Sequence, residues 1–380
     1  MLAPNRLHHP PPARAQAIAL PSPAVRRSRA LAALALLTAA VLVLTTLLTS
    51  AGPAGAATTR NRADVGAGWL GRQLDSTSHL VVGEFGPSYG QTADVVLALS
   101  AAKVGKGTAA AATRALKAHV LDYTGGGSTA EHYAGAYAKL LVVAAARGTD
   151  PRAFGDSERA DLVAGLRALE CGPLRAGCAA ADRGRYSDVS EFGDFSNTIT
   201  QSLALIGLDR TTATGPSRAA VQYLLGQQCD NGAFPETFGA ATCTGSVDAT
   251  GFAVQALATV GGPAATDAAA AAGTWLVKRQ HRDGSFTGNG VRNSNSTALA
   301  AQALEDLGRL KKATKARGYL RGLQALCGAK ASVRGSVRYN AKTGGDRVLS
   351  TSQAVPALAR VELGDVSKAG SVRGLPRLAC

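Results

Sequence analysis

Two stretches of this chain superimpose without a gap: YLLGQQCDNGAF, Tyr223 to Phe234, and WLVKRQHRDGSF, Trp275 to Phe286, set 52 residues apart. In each, an aromatic-Leu pair enters the last turns of a helix, a Gln follows, the chain turns at Asn-Gly or Asp-Gly, and a Phe stands just beyond. Self-similarity at a period near 50 residues marks stacked supersecondary units, none of which can bury its apolar face alone. The fold must therefore be built by repetition.

A second pattern lies after each turn. Segments starting at Gln91, Ser196, Val247, Asn295 and Ser350 share a short polar start and then Ala and Leu at helical spacing, which brings Leu99, Leu205, Leu257, Leu304 and Leu358 into register. The step from Leu99 to Leu205 is 106 residues, about twice the others, and EHYAGAYAKLLVVAAA from Glu131 fills that gap. Six such helices result. Each is preceded by a more basic, amphipathic segment: around Val65–Leu74, Thr108–Leu121, Glu158–Glu170, Arg218–Gln228, Thr266–Gln280 and Thr314–Leu326. An amphipathic helix wants one wet face and an all-apolar one wants none, so the first set is outer and the second inner. Twelve alternating helices can stack as an open solenoid or close into a ring. With six pairs and no polar capping repeat at either end, we expect closure: an all-α fold, an α6/α6 toroid of six outer-inner hairpins over residues 58–380.

Residues 1–57 read as a signal peptide. A basic leader with Arg26-Arg27-Ser28-Arg29 precedes a charge-free apolar run from Leu31 to about Leu48, followed by Ala54-Gly55-Ala56, an A-x-A cleavage pattern. The alternative is an uncleaved N-terminal membrane anchor, since about 18 apolar residues span a bilayer. Cleavage makes the protein secreted. It also removes five arginines and no acid, lowering the formal net charge from +15 to +10. The cluster Arg309, Lys311, Lys312, Lys315, Arg317 and Arg321 is expected to be a solvated helix face, with an anionic cell-envelope surface as a second possibility. Few aromatics lie between those charges to stack bases, so no nucleic-acid partner is expected. The six cysteines all follow the leader, and in an exported chain an even count implies disulfides. Sequence proximity favours Cys171 with Cys178, Cys229 with Cys243, and Cys327 with Cys380. The competing metal reading has no C-x-x-C and only His79, His119, His132 and His281 to draw on. A monomer without metal or cofactor is the expectation.

The segment Gln280-x-x-Asp283-Gly284-Ser285-Phe286, its copy at Gln228–Phe234, and the inner start Val247-Asp248-Ala249-Thr250 resemble the prenyltransferase/squalene-oxidase repeats of the terpenoid cyclase and protein prenyltransferase superfamily. Partial echoes stand at Trp69–Gln73 and Tyr319–Gln324. The motif itself reads as a structural clasp, in which the amides of Gln228 and Gln280 satisfy free backbone groups at the outer helix's end while Phe234 and Phe286 cover them. The resemblance implies a ligand in the central cavity near the inner-helix N-termini, where free N-H groups and positive helix ends converge.

The chemistry such relatives employ is not spelled out here. Zinc-dependent prenyl transfer implies an Asp, a Cys two residues on, and a His; after Asp248 comes Thr250 in place of the thiolate, and Asp248 also suits a helix N-cap. Class II cyclases imply an Asp-x-Asp-Asp acid, which is absent. The nearest acids are Asp188, Glu191 and Asp194, which as neighbours would raise one another's pKa, and Glu131-His132 forms the one acid-base dyad near an inner start. Aromatics make up 5% of the chain, few for lining a cavity that stabilises carbocations. There is no G-x-S-x-G. The leading expectation is a secreted toroid that binds a hydrophobic or amphipathic small molecule or a peptide (isoprenoid, lipid, corrinoid or peptide) without catalysis. Its rim would be Asp94, Tyr133, Asn197, Asp248, Asn295 and Thr351. The alternatives are a divergent exported cyclase or prenyl-transfer enzyme, with its acid among Asp94, Glu131, Asp188, Glu191, Asp194 and Asp248, and a cell-surface scaffold whose ring is filled by side chains.

Overall fold

The computed structural model describes residues 58–380 except 129, 156–158, 173, 174, 176 and 369–373, so the expected signal peptide lies outside the described residues. Six inner helices run through it: α2 (Tyr89–Ala101), α5 (Ala134–Arg147), α7 (Thr198–Thr211), α9 (Val247–Val260), α11 (Ser294–Asp306) and α13 (Arg347–Ala359). The outer set is α1 (Arg62–Gly71), α3 (Lys106–Ala118) with its short continuation α4 (Val120–Thr124), α6 (Leu162–Ala168), α8 (Arg218–Gly226), α10 (Pro263–Arg279) and α12 (Leu310–Leu323). Their burial follows the two sequence patterns. In α3 the buried positions are Ala109, Ala112, Thr113 and Leu116, one stripe at helical spacing. In α7 every residue from Thr200 to Leu208 is buried.

The inner helices pack each on the next, and α13 packs on α2, which closes the ring. Each outer helix packs chiefly on the inner helix before it in sequence, with α1 on α13 across the junction. The compact hairpin is thus inner-to-outer, because links such as Gly261-Gly262 between α9 and α10 are too short to leave room for anything else. The outer-to-inner connections are the long ones. They collect at the end where the inner helices start and carry the small hairpins β2–β3 (Val81–Gly83, Gly86–Ser88) and β4–β5 (Phe286–Gly288, Val291–Asn293).

The junction is sealed by contacts that the segment following α13 makes with the segment before α1 and with residues after α1 and α12. β1 (Thr58–Thr59) pairs in parallel with β6 (Arg377–Leu378), Arg72 Nη1 donates to Pro376 O at 3.1 Å, and Cys327 is bonded to Cys380. The other two disulfides are also the pairs expected, Cys171–Cys178 and Cys229–Cys243, each stapling one rim connection.

The glutamine motif is a clasp between neighbouring repeats, with a partner set different from the one expected. Gln280 Nε2 donates to Gly284 O in its own turn at 3.3 Å and to Lys312 O of the next outer helix at 2.9 Å. Gln228 bridges Gly232 O (2.9 Å) and Ala268 O (2.8 Å) in the same way. The amide therefore ties one repeat to the next rather than closing its own helix end. Two further copies complete the series. Gln324 bridges Gly335 O and Arg62 O across the junction, and Gln201, inside α7, bridges Gly184 O and Ala220 O. Close approach explains the turn glycine: at Gly284 φ is +93°, and a Cβ would lie 2.3 Å from Lys315 O. The aromatics beyond the turns, Phe234 and Phe286, are fully buried, and their backbone N-H groups are held by Thr250 and Thr297 hydroxyls, each at 3.0 Å.

Candidate functional site

Closing six inner helices around an axis leaves a chamber to which all six contribute. Its volume is about 180 Å³, and its wall is mostly apolar: Leu97, Ile199, Leu203, Phe252, Leu299, Leu349 and Pro356. Leu363, from the segment after α13, joins the same lining. It is held by Arg210, whose guanidinium donates to Leu363 O at 2.7 Å and to Val366 O, and by Gln255 Oε1, which accepts from Leu363 N at 3.1 Å.

Besides Ser352, whose hydroxyl donates to Leu349 O at 2.9 Å, four polar side chains reach into this lining. Asp94 on α2 and Lys139 on α5 form an ion pair at 2.9 Å, each about one-fifth exposed. Burial pulls the Lys139 ammonium down, but the Asp94 carboxylate and the nearby Tyr123 hydroxyl outweigh it, so the group stays charged well above its ordinary range. Gln302 and Gln353 complete the set, and the side-chain oxygens of both are buried with no hydrogen-bond partner. A buried acceptor without a donor costs on the order of 1–3 kcal/mol.

The other residues singled out in the sequence stand elsewhere. Asn197 caps α7, accepting from Ile199 N (2.9 Å) and Thr200 N (3.1 Å). Thr351 is fully buried and accepts from Val337 N at 2.8 Å, so it braces a rim connection. Asn295 accepts from the Ser294 hydroxyl at 3.2 Å in the first turn of α11. Glu131, Asp188, Glu191 and Asp194 do come together, over the starts of α5 and α7, where they organise the 188–196 connection. Asp188 accepts from Ala134 N (2.7 Å) and Phe195 N (3.1 Å), and Asp194 pairs with Arg185 and accepts from Asp188 N (3.0 Å). Glu131 accepts from Tyr133 OH (2.6 Å) and Glu191 N (3.0 Å), while His132 pairs through its backbone with Val189. Burial raises the Asp188 carboxyl despite its two backbone donors. The Ser190 and Tyr133 hydroxyls hold Glu131 below the usual carboxylate range.

Asp248 departs from the role expected of it. The cap of α9 is Ser246, whose hydroxyl accepts from Ala249 N at 3.3 Å. Asp248 projects one helical turn before the chamber residue Phe252, with its Oδ1 buried and unpartnered. Burial raises its carboxyl, and the Glu236 carboxylate adds to that against the pull of the Ser296 hydroxyl. Thr250, where a zinc thiolate would stand, instead holds Phe234 N, and among the described residues no three His, Cys, Asp or Glu side chains gather to hold a metal. Lys139, Gln302 and Gln353 were missed in the sequence. A Lys interrupting the apolar stretch of α5 was the one available signal.

No family model matches the chain, and no curated protein matches it in sequence. Solved structures do. A protein from Actinoplanes is 17% identical with a TM-score of 0.53, over 79% of this chain and 98% of that one. Unsaturated glucuronyl hydrolase from Bacillus sp. GL1 is 11% identical with a TM-score of 0.54, over 82% and 99%. The type II terpene cyclase MstE from Scytonema is 16% identical with a TM-score of 0.56, over 79% and 97%. The terpene cyclase among them agrees with the repeat resemblance. At such identities the likeness is one of architecture, and with the ring closure it establishes the chain as an α6/α6 toroid.

Proposed function

We propose that this protein is a secreted binding toroid whose central chamber takes a small amphipathic molecule with an apolar body and a hydrogen-bond-donating head. The observation that carries the reading is the pair of buried, unpartnered amide oxygens of Gln302 and Gln353 beside the Asp94–Lys139 pair in an otherwise apolar chamber. A ligand hydroxyl or amine satisfies those acceptors, and its carbon skeleton displaces nothing polar. Size narrows the ligand classes. At about 180 Å³ the chamber lies below the roughly 300–1,000 Å³ of pockets for drug-sized ligands, which favours a short isoprenoid alcohol or amine over a corrinoid or a complete lipid. It also opposes the filled scaffold, whose axis would be closed by side chains. The three disulfides fit an oxidising, extracellular setting.

Native mass spectrometry of the protein purified from its own secretion medium tests this reading. A stoichiometric adduct of a few hundred daltons, lost in Gln302→Leu, supports it. A bare mass, together with no binding of a panel of short prenyl alcohols and amines, defeats it. The N-terminus of the same sample shows whether the leader is removed near Ala54–Ala57.

A second, catalytic reading draws on Asp248. A half-buried carboxyl raised by burial and free at Oδ1, one turn from the chamber, has the character of a general acid. Two of the named neighbours, the glucuronyl hydrolase and the terpene cyclase, are enzymes, and MstE_R337A forms a complex with geranylgeranyl dihydroxybenzoate as its substrate. A molecule that large needs a wider chamber than this one. Turnover of shorter prenyl substrates, abolished by Asp248→Asn and unaffected by Asp188→Asn, would establish this reading over simple binding.

A further inference from the structure

The repeat supplies an internal standard against which one place on the rim is incomplete. In four outer helices an aromatic stands at the equivalent position: Trp69, Tyr223, Trp275 and Tyr319. Three of them donate to the rim connection of the preceding repeat. Trp69 Nε1 reaches Ser332 O at 2.8 Å, Tyr319 OH reaches Arg292 O at 3.4 Å, and Tyr223 OH reaches Asp182 Oδ1 at 3.5 Å. Trp275 does not. Its connection, stapled by Cys229–Cys243, brings Gly245 against the indole edge but offers no acceptor, and the buried Nε1 has no partner.

At that same place the surface opens into a groove of about 930 Å³, lined by Trp275, Arg279 and His281 together with Glu236 and the 242–247 stretch. This volume is at the upper end of the range for ligand pockets. The Arg279 guanidinium lies over the Trp275 ring, 5.1 Å from its centroid, and has no ion-pair partner among the described residues. An unmet N-H donor therefore lies buried beside a groove whose lining carries the Arg279 cation and a single carboxylate, Glu236.

We propose that this groove binds an extended acidic peptide segment whose carboxylate pairs with Arg279 and one of whose backbone carbonyls accepts from Trp275 Nε1 once the turn at Gly245, which lies against the indole edge, gives way. In two of the three complete repeats a polypeptide carbonyl fills this role, and in the third an Asp carboxylate does. An incoming peptide supplies both chemistries. The site is separate from the central chamber, and neither proposal depends on the other.

The test is selection of the full secreted chain against an immobilised randomised octapeptide library, followed by solution titration of enriched peptides. The expected result is enrichment of Asp- or Glu-bearing sequences. Their affinity falls about three- to tenfold in Arg279→Ala and further in Arg279→Glu, as for loss of a charge-assisted contact. In Trp69→Phe, which leaves Trp275 as the sole indole of the two in the chain, those peptides shift the tryptophan emission. Trp275→Phe is expected to weaken binding about fivefold. Should it fail to fold, the exposed Arg279 variants decide the matter. Absence of enrichment, or enriched peptides that bind Arg279→Glu as well as wild type, overturns the proposal. Retention of a uronate oligosaccharide through Arg279 with no peptide enriched overturns it equally.

Discussion

Removing Asp94 isolates the one charged pair inside the ring. Asp94→Asn leaves the Lys139 ammonium in a largely buried chamber without its 2.9 Å partner. Breaking a buried pair from one side costs about 3–5 kcal/mol, and the one-fifth exposure of both groups reduces this to about 2–4 kcal/mol. At roughly 2–4 °C per kcal/mol for a domain of this size, thermal unfolding should fall by about 5–15 °C. The pH dependence gives the sharper reading. In the wild type the folded Lys139 pKa is raised above its unfolded value, so its contribution is complete below the unfolded pKa near 10.4 and is lost only as pH rises through the folded value. In Asp94→Asn the only other opposing group is Tyr123, which burial keeps protonated and neutral across this range, so desolvation prevails and the folded pKa drops below the unfolded one. The unfolded chain then binds more protons in between, so stability should rise between about pH 7 and 10 as the native lysine sheds its proton. The assay is calorimetric unfolding of wild type, Asp94→Asn, Lys139→Met and the double variant across that pH range. The double variant should recover most of the loss, because two neutral side chains replace an orphaned charge. An Asp94→Asn protein as stable as wild type at pH 7, or a double variant no better than the single, would refute the reasoning.

Gly284→Ala should cost about 2–4 kcal/mol in chemical denaturation, since its Cβ meets Lys315 O at 2.3 Å in a left-handed conformation; Gly290→Ala, with φ +75° but open space around it, should cost about 1 kcal/mol. Cys380→Ser, paired with Cys327→Ser to avoid a stray thiol, should lower stability by about 2–4 kcal/mol and expose the β1–β6 junction to faster amide exchange. Burial, with Glu362, Asp365 and Glu305 nearby, pushes the Asp306 carboxyl up to about 8. Its folded pKa lies above the unfolded value, so the native state is progressively penalised as pH rises from about 4 to 8; Asp306→Asn should therefore melt higher than wild type at pH 8.5, and their melting curves should converge near pH 4.

Much of the architecture was readable from periodicity. Helix α9 starts at Val247 and α8 at Arg218, as the polar starts indicated, and the three disulfides join the cysteines nearest in sequence. Local signals set these features, and local signals survive in a linear string. The clasp was legible in type but not in partner. The carbonyls bound by Gln280 belong to its own turn and to a helix 32 residues on, and Gln201 escaped notice because it sits within an inner helix. The acids at 188, 191 and 194 stood out as a string, whereas in the fold the carboxylates of Asp188 and Asp194 hold a connection in place and Glu191 joins it through its backbone N-H.

The chamber was beyond the sequence for a physical reason. An inner helix is buried all round, so its hydrophobic pattern does not say which side faces the axis, and Asp94 meets Lys139 from 45 residues away only because the ring sets α2 beside α5. The empty place beside Trp275 is of the same kind, since a missing acceptor becomes visible only against three repeats that have one. Repetition along the chain determined that six helical pairs would form and close. Which side chains would face one another across the ring, and which would be left without a partner, was decided by the closure itself.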